Sequence, residues 1–159
     1  MTVDQLDGNA VKVAVQQAFD RHGDGIDELI PILTDINRTL GYLPAQALEE
    51  VSSHLHVPKS QLFSVASFYQ MLSTKPRGRH IIQFCESAPC HVVGGREVWN
   101  AMRETTKLEN GETSPDGKWT LITVSCLGIC GVGPVMVIDD DVFGNVTPDQ
   151  VPQILNRYS

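Results

Sequence analysis

The four cysteines of the chain stand as two close pairs, Cys85-x4-Cys90 and Cys126-x3-Cys130, and each pair opens where an apolar, β-rich stretch ends. If the four sulfurs act jointly, two loops distant in sequence must meet at one edge of a sheet, and few topologies allow that. Four thiolates brought together in this way can close a tetrahedral sulfur site around a metal or hold an iron–sulfur cluster.

With 159 residues and 42% hydrophobic content, the chain suffices for one ordinary globular domain or two small ones. The amino terminus, Met1-Thr2-Val3-Asp4-Gln5-Leu6-Asp7-Gly8, shows neither the basic start nor the apolar run of a secretory signal. No stretch approaches the roughly 18 apolar residues of a membrane span. The expectation is a cytoplasmic protein with no direct membrane insertion. In that reducing compartment, closely spaced cysteines point to metal binding or redox work rather than to a disulfide framework. Acidic residues outnumber basic ones 19 to 12, for a net charge of −7, and the Lys and Arg residues are scattered. That distribution argues against nucleic acid as a partner.

Residues 1–74 carry helical periodicity. Val11, Ala14, Val15, Ala18 and Phe19 make one stripe, and Ile26, Leu29, Ile30, Leu33, Ile36 and Leu40 make a second, stopped by Gly41. Pro44 and Pro58 occupy first-turn positions ahead of two more stripes: Ala47, Leu48, Val51 and Leu55, then Leu62, Val65, Tyr69 and Leu72. The pattern predicts a small bundle of four helices. Phe68, Tyr69 and Met71 are assigned to its core, with a docking surface as the alternative. The polar connector Ser73-Thr74-Lys75-Pro76-Arg77-Gly78 then ends the helical pattern.

Residues 78–159 change period. His80–Phe84, Trp119–Val124, Val135–Ile138 and Val142–Phe143 read as four strands, and Glu97–Thr106 and Pro148–Arg157 as helices. A strand, a helix and a second strand form a right-handed crossover, which sets the two strands parallel and puts Cys85 and Cys126 at one edge of a small mixed sheet. The fold class is α/β: an amino-terminal helical bundle followed by an α/β domain. Ligand sites in such sheets lie outside the carboxyl ends of the strands.

The second cysteine loop, Cys126-Leu127-Gly128-Ile129-Cys130-Gly131-Val132-Gly133-Pro134, holds three glycines, which lets backbone N–H groups approach inorganic sulfide. Structural zinc sites favour C-x2-C knuckles, and the spacings here are wider, which favours an iron–sulfur cluster. A structural four-cysteine zinc module is the alternative. A thiol–disulfide oxidoreductase would call for C-x2-C, which is missing.

His91 follows Cys90, but four cysteines already fill the ligand count, leaving it a hydrogen-bonding or packing role. His22, His54, His56 and His80 pair with no carboxylate motif and are expected to be solvated. Asp139-Asp140-Asp141 lacks the spaced ligands of a calcium loop and reads as a hairpin turn. Gly94-Gly95 falls short of the G-x-G-x-x-G dinucleotide fingerprint, so it does not read as a dinucleotide site.

The segments Gly41-Tyr42-Leu43-Pro44, Val65-Ala66-Ser67-Phe68-Tyr69, Cys85-Glu86-Ser87-Ala88-Pro89-Cys90-His91, Thr113-Ser114-Pro115-Asp116-Gly117 and Cys126-Leu127-Gly128-Ile129-Cys130 occur in this order. In them the chain resembles the small 2Fe-2S, thioredoxin-like ferredoxin subunit of NADH dehydrogenases, the 24 kDa subunit family, also found in NAD-linked hydrogenases and formate dehydrogenases. Ser67 stands where that family more often has Thr. The resemblance implies a thioredoxin-like second domain, one 2Fe-2S cluster on Cys85, Cys90, Cys126 and Cys130, and a helical region that docks a partner. That partner would be a flavoprotein NADH-binding subunit carrying FMN and NAD, which makes this chain a non-catalytic electron-transfer subunit. The free chain is left as monomer or homodimer. Pro134 stands where thioredoxin-like folds carry a cis proline. Four thiolates and the chain's negative charge favour a potential near about −400 mV, whereas donors from Gly128, Gly131 and Gly133 would raise it.

Overall fold

The computed structural model describes residues 8–158; the amino-terminal stretch read as free of a signal, Met1–Asp7, and Ser159 lie outside the described residues. The chain divides into two compact units at Pro76–Arg77.

The first unit is helical. α1 (Gly8–His22) buries Val11, Ala14, Val15, Ala18 and Phe19, the stripe its sequence predicts. A single 3-10 turn, Ile26–Glu28, precedes α2 (Leu29–Leu40), so the second stripe begins at Leu29, and Ile26 is exposed. Gly41 ends α2 at φ 80°, a left-handed conformation that a side chain would resist. α3 (Ala45–Leu55) and α4 (Lys59–Phe68) each start one residue after a proline, Pro44 and Pro58, which serve as the N-cap residues rather than sitting in the first turn. Ile32, Leu33, Ile36, Leu43, Val51 and Leu62 are fully buried at the centre. Arg21 and His22 in the last turn of α1 both reach Asp35 of α2, at 2.6 and 2.8 Å.

Two expectations fail in this unit. Phe68 is 78% exposed and Met71 54% exposed, so they are not core. The inward face of α4 is set by Leu62 and Ala66, and Phe68 lies roughly 200° around the helix from Ala66 at about 3.6 residues per turn. The helix then stops, and Tyr69 is extended. His22 is not merely solvated, as it bonds Asp35. His54 stacks on Phe19 with ring centroids 4.3 Å apart.

The second unit is a five-stranded mixed sheet in the order β2-β3-β1-β4-β5. β1 (His80–Cys85) and β3 (Trp119–Val124) are parallel and central, running from the pair His80 and Trp119 to the pair Cys85 and Val124. β4 (Met136–Ile138) and β5 (Asp141–Phe143) add antiparallel on one side, and β2 (Glu112–Thr113) on the other. β2 is a fifth strand that the sequence pattern does not announce; two residues are too few to show alternation. The TSPDG segment after it is a tight turn, in which Gly117 N–H donates to Ser114 O at 2.8 Å and Trp119 N–H to Ser114 Oγ at 2.9 Å.

Between β1 and β2 the chain forms a short helix α5 (Ala88–Cys90), a kinked segment His91–Gly95 in which Val93 and Gly94 leave helical geometry, Gly94 at φ 104°, and α6 (Arg96–Thr106). α7 (Gln150–Leu155) closes the chain. Ile82, Phe84, Val98, Met102, Leu121, Met136, Ile138 and Val151 form one buried core between sheet and helices. Gly95 is needed after that kink, because a β-carbon there would stand 2.6 Å from the Cys90 carbonyl oxygen. The Gly133–Pro134 bond is cis.

His80 also departs from expectation. Its Nδ1 lies 2.7 Å from Asp139 Oδ2, and its ring sits against Trp119 and Tyr158. Asp139, at φ 54° in the β4–β5 hairpin turn, also accepts the Ile81 N–H at 2.8 Å. Among the described residues no helix is long and apolar enough to cross a membrane.

Candidate metal centre

Cys85 is the last residue of β1, held by its N–H to the Val135 carbonyl at 3.2 Å, and it is buried. After it the chain turns at Glu86, whose N–H donates to Val124 O, and Ser87 takes the N-cap position of α5, whose last residue is the buried Cys90. Cys126 leaves β3 two residues beyond its end and is exposed. Cys130, also exposed, opens a 3-10 turn, Cys130–Val132. The parallel pairing of β1 and β3 therefore brings both loops to one edge of the sheet.

The sulfurs stand in two pairs. Cys126 Sγ and Cys130 Sγ are 3.5 Å apart, and Gly128, at φ 81°, donates its N–H to Cys126 Sγ at 3.4 Å. In the buried pair, Cys85 and Cys90 share a hydrogen bond. The second loop runs against the first: a β-carbon on Gly133 would stand 3.2 Å from Cys90 Sγ and 3.4 Å from the Cys130 carbonyl oxygen. Among the described residues, no three or more His, Cys, Asp or Glu side chains lie where a single ion could join them.

Burial pushes the Cys85 thiol up, yet the N–H groups of Ser87 and Leu127 and the Cys90 thiol outweigh it and bring Cys85 below the ordinary thiol range. Burial raises Cys90, and the hydrogen bond and negative charge of Cys85 raise it further, against the Val135 N–H. The hydrogen bond to Cys126 and the charge there raise Cys130. In each pair, negative charge on one sulfur keeps the proton on its neighbour. Two thiolates side by side need a cation between them, and a sulfur-binding metal supplies one. The donor set, the paired spacing and the glycine cradle thus fit an iron–sulfur group.

The sequence names all four cysteines but only one of the sulfur-facing donors. Gly128 acts as expected, whereas the Gly133 N–H goes to the Cys130 carbonyl at 3.2 Å. Ser87, Leu127 and Val135 supply the others. Only Ser87 leaves a trace in sequence, as a serine at the N-cap position ahead of Ala88-Pro89, although its side chain makes no cap hydrogen bond. His91 is exposed and lines a groove of about 270 Å³ with Glu86, Arg96, Trp99 and Asn100.

Residues 15–159 match the family model described as thioredoxin-like [2Fe-2S] ferredoxin. A subunit of the NADH-quinone oxidoreductase of Escherichia coli K12 is 32% identical over 149 residues, covering 94% of this chain and 90% of that one. HndA, a subunit of the NADP-reducing hydrogenase of Solidesulfovibrio fructosivorans, is 35% identical over 130 residues, covering 82% of this chain and 76% of that one. Among solved structures, a chain of the air-oxidised NAD+-reducing [NiFe]-hydrogenase superposes with a TM-score of 0.69 at 20% identity. The superposition covers 82% of this chain and 22% of the hydrogenase chain, and at that identity it speaks for the fold alone.

Proposed function

This chain belongs to the thioredoxin-like [2Fe-2S] ferredoxin family, and from that premise we propose that it is the electron-transfer subunit of an NAD(H)-linked oxidoreductase, holding one [2Fe-2S] cluster on Cys85, Cys90, Cys126 and Cys130. When bound, the cluster supplies one-electron exchange and no bond to substrate. Cys85 and Cys90 would supply the buried ligands, and Cys126 and Cys130 the exposed ones. The N–H groups of Ser87, Leu127, Gly128 and Val135 point at the sulfurs and favour the added negative charge of reduction. Burial of Cys85 and Cys90 keeps water from one side.

The observation that carries this reading is the pairing of the sulfurs, with Cys126 and Cys130 3.5 Å apart and Gly133 packed against Cys90. A single zinc with bonds of about 2.3 Å needs all four sulfurs within about 3.8 Å of one another. Two pairs suit two irons better.

The partner is a flavoprotein subunit that binds NAD(H) and carries FMN, with the helical residues 1–74 helping to dock it, on the cytoplasmic side of the cell. The exposed pair Cys126 and Cys130 would present its half of the cluster towards that partner, flanked by the exposed Ile129 and Val132. Metal analysis tests the proposal: a brown protein with iron and acid-labile sulfide in equal amounts is expected, and a colourless protein with stoichiometric zinc would overturn it.

A further inference from the structure

The segment after β5 grips the second cysteine loop through its backbone. Asn145, at φ 51°, donates its N–H to the Val132 carbonyl at 2.6 Å, and Val146 donates to the Pro134 carbonyl at 3.2 Å. Gly144 lies just ahead of both. A β-carbon there would stand 2.9 Å from Val132 Cβ, 2.9 Å from Val132 Cγ2 and 3.0 Å from the Val132 carbonyl oxygen. Val132 closes the turn that Cys130 opens.

Which side would yield to an added methyl follows from burial. Val146 and Val151 are buried in the core of the unit, so the segment carrying Gly144 is anchored. The Cys130–Val132 turn is exposed and is the softer partner. Gly131, the immediate neighbour of Cys130, makes the contrast: its β-carbon position has nothing within 4 Å.

Resting on the cluster reading above, we propose that Gly144 is a positioning residue for Cys130. Its missing side chain lets the segment after β5 close on Val132, and the turn then fixes where Cys130 presents its sulfur. A residue distant in sequence from the ligands thus governs the exposed half of the site more strongly than the glycine beside Cys130.

The test uses the full chain carrying its cluster. Gly144→Ala is expected to release iron to a chelator roughly tenfold faster than the parent, the low end for changes around a metal's ligands, and to shift the electron paramagnetic resonance signal of the reduced cluster. Gly131→Ala is expected to change both less than Gly144→Ala does. Val132→Gly combined with Gly144→Ala removes two of the three close contacts and is expected to restore the behaviour of Val132→Gly alone. Far-ultraviolet circular dichroism follows the fold throughout. Parent-like release and resonance in Gly144→Ala overturn the proposal. So does an effect of Gly131→Ala as large as that of Gly144→Ala, or an unfolded Gly144→Ala that Val132→Gly does not rescue. A parent chain that binds no iron overturns the cluster reading instead.

Discussion

Cys85 and Val124 are parallel partners across the two central strands. Cys126, two residues past Val124, therefore leaves the sheet at the end where Cys85 does. Strand direction alone accounts for this: an antiparallel β3 would deliver Cys126 to the opposite end, beside His80. The crossover through α6 is what makes one site from two remote loops.

The ligand set is tested residue by residue. Cys85→Ala and Cys126→Ala are each expected to lose the visible charge-transfer bands together with bound iron and sulfide. His91→Ala, at an exposed residue that lines a groove, is expected to keep them. An unchanged spectrum and iron content after either cysteine change removes that residue from the ligand set.

The purified chain is expected to take one electron from dithionite under anaerobic conditions and none from NADH, since it carries no dinucleotide fingerprint after a strand. Bleaching of the visible spectrum reads this directly. Oxidation of NADH by the chain alone would contradict its assignment as a non-catalytic subunit.

Tyr158 donates its hydroxyl to Asp141 Oδ2 at 2.7 Å. Burial, then the hydrogen bond and charge of Asp141, push its phenol up to about 12. A raised folded value means that the native state keeps a proton the unfolded chain gives up, so this contribution to stability is whole below the ordinary tyrosine value of about 10. It is lost as pH rises towards about 12. Absorbance near the phenolate band, compared between the parent and Tyr158→Phe, should show one late-titrating tyrosine that the variant lacks; a tyrosine titrating at the ordinary value would refute it.

Thr120 is buried, its hydroxyl receiving the Gly78 N–H at 2.6 Å and lying 2.9 Å from Thr113 Oγ1. Thr120→Val keeps the shape but strands that N–H, at an expected cost of about 1–3 kcal/mol. Thr120→Ser, which keeps the acceptor, should lose less. Urea unfolding of the two variants measures the difference, and equal losses would show that packing, not the hydrogen bond, is the source.

Much of this architecture is written locally. The stripe Val11 to Phe19 is buried as its spacing demands, Gly41 ends its helix, and the β-rich runs before Cys85 and Cys126 are strands. The departures come from interactions that sequence distance hides. His22 meets Asp35 and His80 meets Asp139 only once helices pack and a hairpin folds back. Phe68 looks like core because the apolar run continues past Ala66, whereas helix rotation decides which residues face inward. The donors Leu127 and Val135 are backbone groups, which no side-chain pattern can announce.

Because β1 and β3 point the same way, the polypeptide must travel back along the whole sheet before it can present its second two thiols. On the ribosome, Cys85 and Cys90 emerge while their counterparts are still unmade, and no nascent chain ending before Cys130 owns the full sulfur set. If the proposed ligand set holds, translation sets the earliest moment at which this polypeptide could receive inorganic iron and sulfide on all four thiols.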